Sequence, residues 1–213
     1  MDLKLREEDL AFQREVRAFI DEYWPEEVRA ARSTATRFEE SGGHPPEVRR
    51  WIDALNERGW AVPNWPREWG GTDWTPTQKY IWDRETALAE TPQLSAFGAR
   101  MLAPVLCTWG TEAQKERFLP AIREERMIWC QGYSEAGAGS DLAALATKAE
   151  RVRDEERGDH YVVNGTKIWT SGAHVADWMF CLVRTDAGGR KQEGISFLLV
   201  DMKSEGITVN PIH

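Results

Sequence analysis

The chain has 213 residues, 41% of them hydrophobic and 29% charged, with a formal net charge of −8. That is the composition of a globular protein with a real core, one large domain or two small ones. The acidic balance argues against a nucleic-acid surface, which needs a basic stripe, and offers no basic segment to an anionic membrane. No apolar run approaches the roughly 20 residues of a spanning helix, and the charged start, Met1 to Asp9, has no signal-peptide core. No membrane insertion is expected, and the cytoplasm is the default location.

Helical periods fill the first 125 residues. Phe12, Val16, Phe19, Ile20 and Tyr23 recur at helical spacing over residues 5–23, and Pro25 should end or kink that helix. Residues 26–40 are charged and read as a short helix followed by a loop. A breaker of serine, glycines, histidine and prolines covers residues 41–46. A second helix starts at Pro46, with Val48, Trp51, Ile52 and Leu55 as its buried stripe and Gly59 as its C-terminal cap. Residues 60–74 hold Trp60, Trp65, Trp69 and Trp74 without a clean period and read as an ordered loop. Its tryptophans are either packing material or an aromatic wall beside a flat ligand. Thr75 to Gln78 and Thr111 to Gln114 both read as capping boxes, opening helices to about residue 90 and over Phe118, Leu119 and Ile122. A further helix is expected over residues 94–108. Pro120 is expected to bend the last one.

From Met127 the period changes to that of strands. Residues 127–131, 147–153, 178–185, 195–202 and 207–212 are dense in β-formers, and Asn164-Gly165 between two such runs predicts a tight hairpin over residues 160–169. The fold class is therefore α+β. An N-terminal all-α helical domain, bundle-like, spans residues 1–125, and an antiparallel β-barrel or sheet domain of about six strands spans 126–213. The chain stops in or just after a strand, so an unpaired edge is expected, to be covered by another segment or a continuation of the sequence.

Residues 131–141 join the two patterns and hold three glycines, two serines and two carboxylates. Gly137 and Gly139 can let a ligand approach the main chain, successive N–H groups there can form a concave donor nest, and Ser134 and Ser140 add hydroxyls. The loop is neither a Walker loop nor a dinucleotide fingerprint, and a plain structural turn is the alternative. Cys107, Cys130 and Cys181 fit neither a disulfide framework nor a zinc site and read as buried thiols. The histidines have no ligand spacing, so no metal is expected.

Three segments, in order and at this spacing, resemble the amino-terminal half of an acyl-CoA dehydrogenase. Residues 111–120 are similar to the helix before that family's β-domain, 133–141 to its flavin loop and 161–172 to its second flavin segment. Residues 64–71, 131–133 and 191–196 look most like the large subunit of pimeloyl-CoA dehydrogenases. The resemblance implies bound FAD and oxidation of the Cα–Cβ bond of an acyl-CoA to a trans-2-enoyl-CoA in fatty or dicarboxylic acid degradation. It also implies a base taking the α-proton, hydride passing to flavin N5, and electrons leaving to an electron-transfer flavoprotein. The oligomer it implies is homo- or heteromeric, a dimer of dimers.

By position, the resemblance places Gln131, Gly132, Tyr133, Ser134, Gly139 and Ser140 along the isoalloxazine, with Ser134 at its pyrimidine edge. Ser140 would face the diphosphate or the substrate's pantetheine arm. Trp169, Thr170 and Ser171 would cover the dimethylbenzene side and reach N5. The alternatives are barrel core for Trp169 and turn capping for Ser134 and Ser140. Glu135 and Asp141 are expected to act in the fold of the loop, not as the base. Ala136 stands where the family commonly has proline, so a less rigid loop is expected. The family's catalytic glutamate, further FAD contacts and most of its oligomer interface come from a C-terminal helical domain not present in these residues, so no catalytic residue is assigned. Other readings are a non-catalytic fragment or subunit of a heteromeric acyl-CoA dehydrogenase, or an acyl-CoA oxidase or flavin monooxygenase on the same scaffold.

Overall fold

The computed structural model describes residues 4–32, 44–156 and 158–211. The chain forms two compact units, Met1–Arg126 and Met127–His213.

The first unit is helical: α1 (Glu7–Tyr23), α2 (Glu26–Arg32), α3 (Pro46–Arg58), α4 (Pro76–Leu88), α5 (Ala103–Trp109) and α6 (Glu112–Arg123). The caps form as the sequence requires. Thr75 accepts from Gln78 N at the start of α4 and Thr111 from Gln114 N at the start of α6, with both reciprocal bonds made. Gly59 ends α3 with φ +73°, a left-handed conformation in which a side chain is strained. Pro120 lies inside α6. The helix expected from residue 94 instead opens as a π-helical turn, Phe97–Leu102, that runs into α5. Pro104 lacks the N–H that an α-helical bond to the Arg100 carbonyl would need. Residues 33–43, with most of the expected breaker, lie outside the described residues.

The core of this unit is aromatic. Trp24, Trp51 and Trp60 are buried with Phe12, Phe19 and Trp82. Trp60 packs on Trp74 and Trp82 at ring-centroid distances of 5.4 Å, and Trp65 Nε1 donates to the Ala99 carbonyl at 2.8 Å. Trp60 and Trp65 are thus packing material, which removes the ligand-wall alternative for them, and the half-buried Trp74 packs against the same core. Glu85 is buried on α4 and accepts from Gln13 and Arg17 of α1 and from Arg84. Burial pushes its carboxyl up, but the Arg17 and Gln13 hydrogen bonds outweigh this and hold it below the usual carboxylate range.

Among the described residues the second unit forms one sheet of five strands: β1 (Trp129–Gly132), β2 (Lys148–Val152), β3 (His160–Asn164), β4 (Trp178–Arg184) and β5 (Ile195–Asp201). It is mixed, where an antiparallel arrangement was expected. β5 runs antiparallel along the whole of β4, from Trp178↔Asp201 to Arg184↔Ile195. The other side of β4 is shared end to end by two parallel partners: β1 pairs from Trp129↔Trp178 to Gly132↔Cys181, and β2 at Lys148↔Arg184. Residues 133–147 therefore leave the sheet where β1 stops and rejoin it where β2 begins. Alternation marks a strand but not its partner or direction, so the antiparallel expectation had no local signal that could reveal the parallel pairs.

Two further expectations are corrected. Asn164-Gly165 is not a hairpin turn. β3 ends at Asn164 and pairs with β2 from Lys148↔Asn164 to Val152↔His160, so the hairpin closes through residues 153–159. Gly165 serves another need: a Cβ there would stand 2.3 Å from Thr147 Oγ1 and 2.6 Å from Thr147 Cα. The glycine lets the departing chain cross residue 147. The expected strand over residues 207–212 is absent through Pro211, because no neighbouring strand pairs with it among the described residues, and its last residue lies outside them.

Gly165→Ala is expected to lower stability by about 2 kcal/mol, as overpacking does. Chemical denaturation checks this, and an unchanged midpoint would show that Thr147 yields freely.

Candidate functional site

Gln131 and Gly132 lie in β1, residues 133–141 enter the gap between β1 and β2, and Lys167 and Ile168 are bonded to that segment. Residues 133–147 are held there from both ends. Glu135 N and Ala138 N exchange hydrogen bonds with each other's carbonyls at 3.0 Å, closing a tight turn. The Glu135 carboxylate accepts from the N–H of Ala146 at 2.6 Å and of Thr147 at 3.0 Å. Arg184, at the end of β4, donates to the carbonyls of Ala143 (2.7 Å) and Leu145 (3.2 Å). Asp141 pairs with Lys191 at the exposed side. Glu135 is thereby committed to holding the loop, and Asp141 is paired at its exposed side.

The second segment is bonded directly to the first. Ile168 N donates to the Ser134 carbonyl at 2.9 Å. Lys167 Nζ reaches Glu135 Oε1 at 2.7 Å and the Tyr133 carbonyl at 3.2 Å. Both side chains of this ion pair are under a tenth exposed. Burial pushes the Glu135 carboxyl up, but Lys167 and the two backbone donors overcome it and hold it down at about 2. Lys167 and Arg184 were not recognised as organising residues from sequence. The usable signal was a lone lysine in an apolar-bounded segment and an arginine ending a core strand, and neither names its partner.

The individual residues divide by what the chain itself asks of them. Gly132 is explained by the sheet, since a Cβ would lie 2.5 Å from Met179 Sδ and 3.1 Å from Cys181 Sγ. Gln131 sits in β1 opposite Phe180, and Tyr133 packs edge-on against the Phe180 ring at 5.7 Å. Burial raises the Tyr133 phenol above its ordinary value. Gly139 is different: its φ is ordinary and a Cβ would meet nothing within 4 Å, so neither backbone strain nor intrachain packing demands glycine there. The same holds for Gly137. Among the described residues the hydroxyls of Ser134, Ser140 and Ser171 make no hydrogen bond, which removes turn capping as the account of the first two. Thr170 Oγ1 is buried with no partner.

Trp169 stands out. It has φ +58° and is 73% exposed. A bulky residue in the left-handed region is an outlier held by its surroundings. Here the Ser171 N–H donates to the Trp169 carbonyl at 3.0 Å, and the turn presents an indole to solvent. Barrel core is therefore excluded for it. A flavin would fit this set: an approachable glycine stretch, spare hydroxyls, a buried orphan oxygen and an exposed aromatic face.

Cys130 and Cys181 are buried and Cys107 half-buried, with burial pushing the Cys130 thiol up to about 12. Clefts of about 190 and 390 Å³ in the helical unit are lined by residues such as Arg17 and Glu85, or Phe19 and Glu57, and include none of the loop. Among the described residues no cluster of His, Cys, Asp and Glu could hold a metal ion, and no helix is long and apolar enough to cross a membrane.

Residues 6–126 match the family model described as Acyl-CoA dehydrogenase, N-terminal domain, and residues 130–213 that of Acyl-CoA dehydrogenase, middle domain. The chain is 42% identical over 167 residues to acyl-CoA dehydrogenase IpdE1 of Mycobacterium tuberculosis, covering 78% of this chain and 42% of that protein. It is 38% identical over 200 residues to FadE29 of the same organism, covering 94% and 49%. Among solved structures, the ChsE4-ChsE5 complex of Mycobacterium tuberculosis matches with a TM-score of 0.76 at 34% identity, over all of this chain and 51% of the other. The Tcur3481-Tcur3483 steroid ACAD matches with 0.75 at 33% identity, over 100% and 52%. The chain thus spans about half the length of the relatives it matches.

Two outcomes follow from this geometry. Because the folded Glu135 carboxyl lies near 2 against an ordinary 4.5, its contribution to stability is full above about pH 4.5 and is lost as pH falls towards 2. Denaturation midpoints across that window should fall less steeply in Glu135→Gln, and an equal slope would remove the carboxylate from the account. Gly139→Ala should leave cofactor-free stability within about 0.5 kcal/mol of the parent, yet weaken FAD uptake several-fold in a binding titration. Unchanged uptake would show that no ligand comes close there.

Proposed function

Because this chain belongs to the acyl-CoA dehydrogenase family, we propose that it supplies one wall of a flavin site for the α,β-dehydrogenation of an acyl-CoA thioester, as a subunit of a heteromeric enzyme. The observation that carries this reading is the bonding of residues 133–135 to residues 167–168, which brings two segments more than thirty residues apart into one surface. Beside it in the chain, Trp169 is exposed and would offer a flat apolar face, Ser134, Ser140 and Ser171 would offer hydroxyls, and the buried Thr170 hydroxyl has no partner among the described residues. FAD, when bound, supplies the two-electron chemistry and takes up the β-hydride.

This chain's residues bind and orient. Ser134 and its neighbouring main-chain N–H groups would donate to the carbonyl edge of the ring. Trp169 would cover one end of it and keep water away, and Ser171 would stand near N5. Ser140 and Gly139 would border the diphosphate or the pantetheine arm. No base for the α-proton is assigned among these residues. Glu135 and Asp141 are committed to Lys167 and Lys191, so the base is proposed to come from outside them.

Heteromeric assembly is supported by the two structural neighbours named as pairs, ChsE4-ChsE5 and Tcur3481-Tcur3483. The second is a steroid ACAD, so a bulky polycyclic acyl-CoA is the substrate proposed, in preference to pimeloyl-CoA. An electron-transfer flavoprotein is the proposed acceptor.

The test is to purify the protein alone and after co-expression with a second acyl-CoA dehydrogenase chain, and to record its visible flavin spectrum. Flavin bleached by a steroid side-chain thioester in the pair supports the reading, and a colourless protein in both preparations overturns it. Within an active pair, Ser171→Ala should slow flavin bleaching at least tenfold while thioester affinity changes less than threefold, the pattern of a group that acts mainly in the transition state. Equal losses in both would move Ser171 away from the reacting centre.

A further inference from the structure

Lys167 has one partner that needs a cation and one that does not. Glu135 needs it, because a buried carboxylate without a counter-charge is strongly destabilising. The Tyr133 carbonyl, 3.2 Å from Nζ, is neutral. That oxygen lies in the same planar peptide unit as the N–H of Ser134. A cation on the oxygen draws electron density along the unit and makes the N–H at its other end a stronger donor, the cooperativity seen in hydrogen-bond chains. The Ser134 carbonyl is already taken by Ile168 N, while its N–H has no backbone acceptor among the described residues. The ammonium is thus spent on one end of a peptide whose other end is unused.

We propose that Lys167 is a positioning residue that polarises the Tyr133–Ser134 peptide, so that the Ser134 N–H becomes a strengthened donor for a ring carbonyl that gains negative charge on reduction. The inference rests on the flavin reading and adds to it a residue that need not touch the cofactor. A lysine that served only as counter-ion to Glu135 would be dispensable once Glu135 is neutral. A lysine that polarises the peptide would not be. Stabilisation of the reduced ring by such a donor raises the flavin potential.

The experiment compares Lys167→Met, Lys167→Arg and the double variant Lys167→Met with Glu135→Gln. In cofactor-free protein the readouts are thermal midpoint and the Ser134 amide 15N shift, and in FAD-loaded protein the two-electron midpoint potential. Lys167→Met should lose stability and move the Ser134 15N resonance upfield. The double variant should regain most of the thermal midpoint, since removing both members of a buried pair costs little. It should nonetheless keep the upfield resonance and favour oxidised flavin about tenfold, a potential lower by ~30 mV. Lys167→Arg, which keeps the charge, should stay close to the parent in both readouts. Return of the resonance and potential to parent values in the double variant overturns the proposal and leaves Lys167 a counter-ion. A parent protein that takes up no FAD defeats the flavin reading, while the Ser134 resonance still decides whether the peptide is polarised.

Discussion

The Lys167 ammonium lies 2.7 Å from the Glu135 carboxylate, with both side chains all but removed from solvent, and the arrangement of residues 133–147 and 165–168 depends on that pair. Taking both charges out of water is costly, and attraction alone seldom repays it. Here the carboxylate also accepts from Ala146 N and Thr147 N, and the ammonium also donates to the Tyr133 carbonyl. The same few atoms therefore tie together the exit of β1, the entry to β2 and the segment after β3. Gly165 makes the approach possible, because a side chain there would collide with Thr147.

That latch sits in a gap created by the sheet. β5 occupies one whole edge of β4, so β1 and β2 must share the other, and the chain between them has to leave the ladder. A loop at such a break has no full ladder to pair with. Its own short turns, the Ile168 N–H and the side chains of Glu135 and Arg184 hold it instead. The hydroxyls of Ser134 and Ser140 are left without a partner among the described residues. Trp169 is the counterpart on the other segment, an indole kept out of the core by a left-handed backbone. Glycines make the same division visible. Gly132 and Gly165 answer to crowding within the chain, whereas Gly139 answers to nothing inside it.

The helical unit follows another logic. Trp24, Trp51, Trp60 and Trp82 fill a core in which aromatic edges meet aromatic faces, and Glu85 is buried with Arg17, Gln13 and Arg84 as partners. Buried aromatic area and a satisfied carboxylate hold α1 to α4. Density of tryptophan in the sequence was therefore a sign of packing for Trp60 and Trp65, while Trp109 and Trp169, which stand outside that dense stretch, are exposed.

Local chemistry was legible in the residues. The two capping boxes, the glycine that ends α3 and the buried stripe of α3 placed the helices. Alternating β-formers placed β1, β2, β4 and β5 to within a residue or two, and the segments at 133–141 and 161–172 carried the family. These are properties of neighbours in the chain, so a sequence contains them. The parallel pairing of β1 and β2 with β4, the service of Gly165 as a crossing point, the exposure of Trp169 and the meeting of Glu135 with Lys167 were decided by tertiary structure. Each depends on which distant atoms arrive at the same place, and neither period nor propensity encodes that.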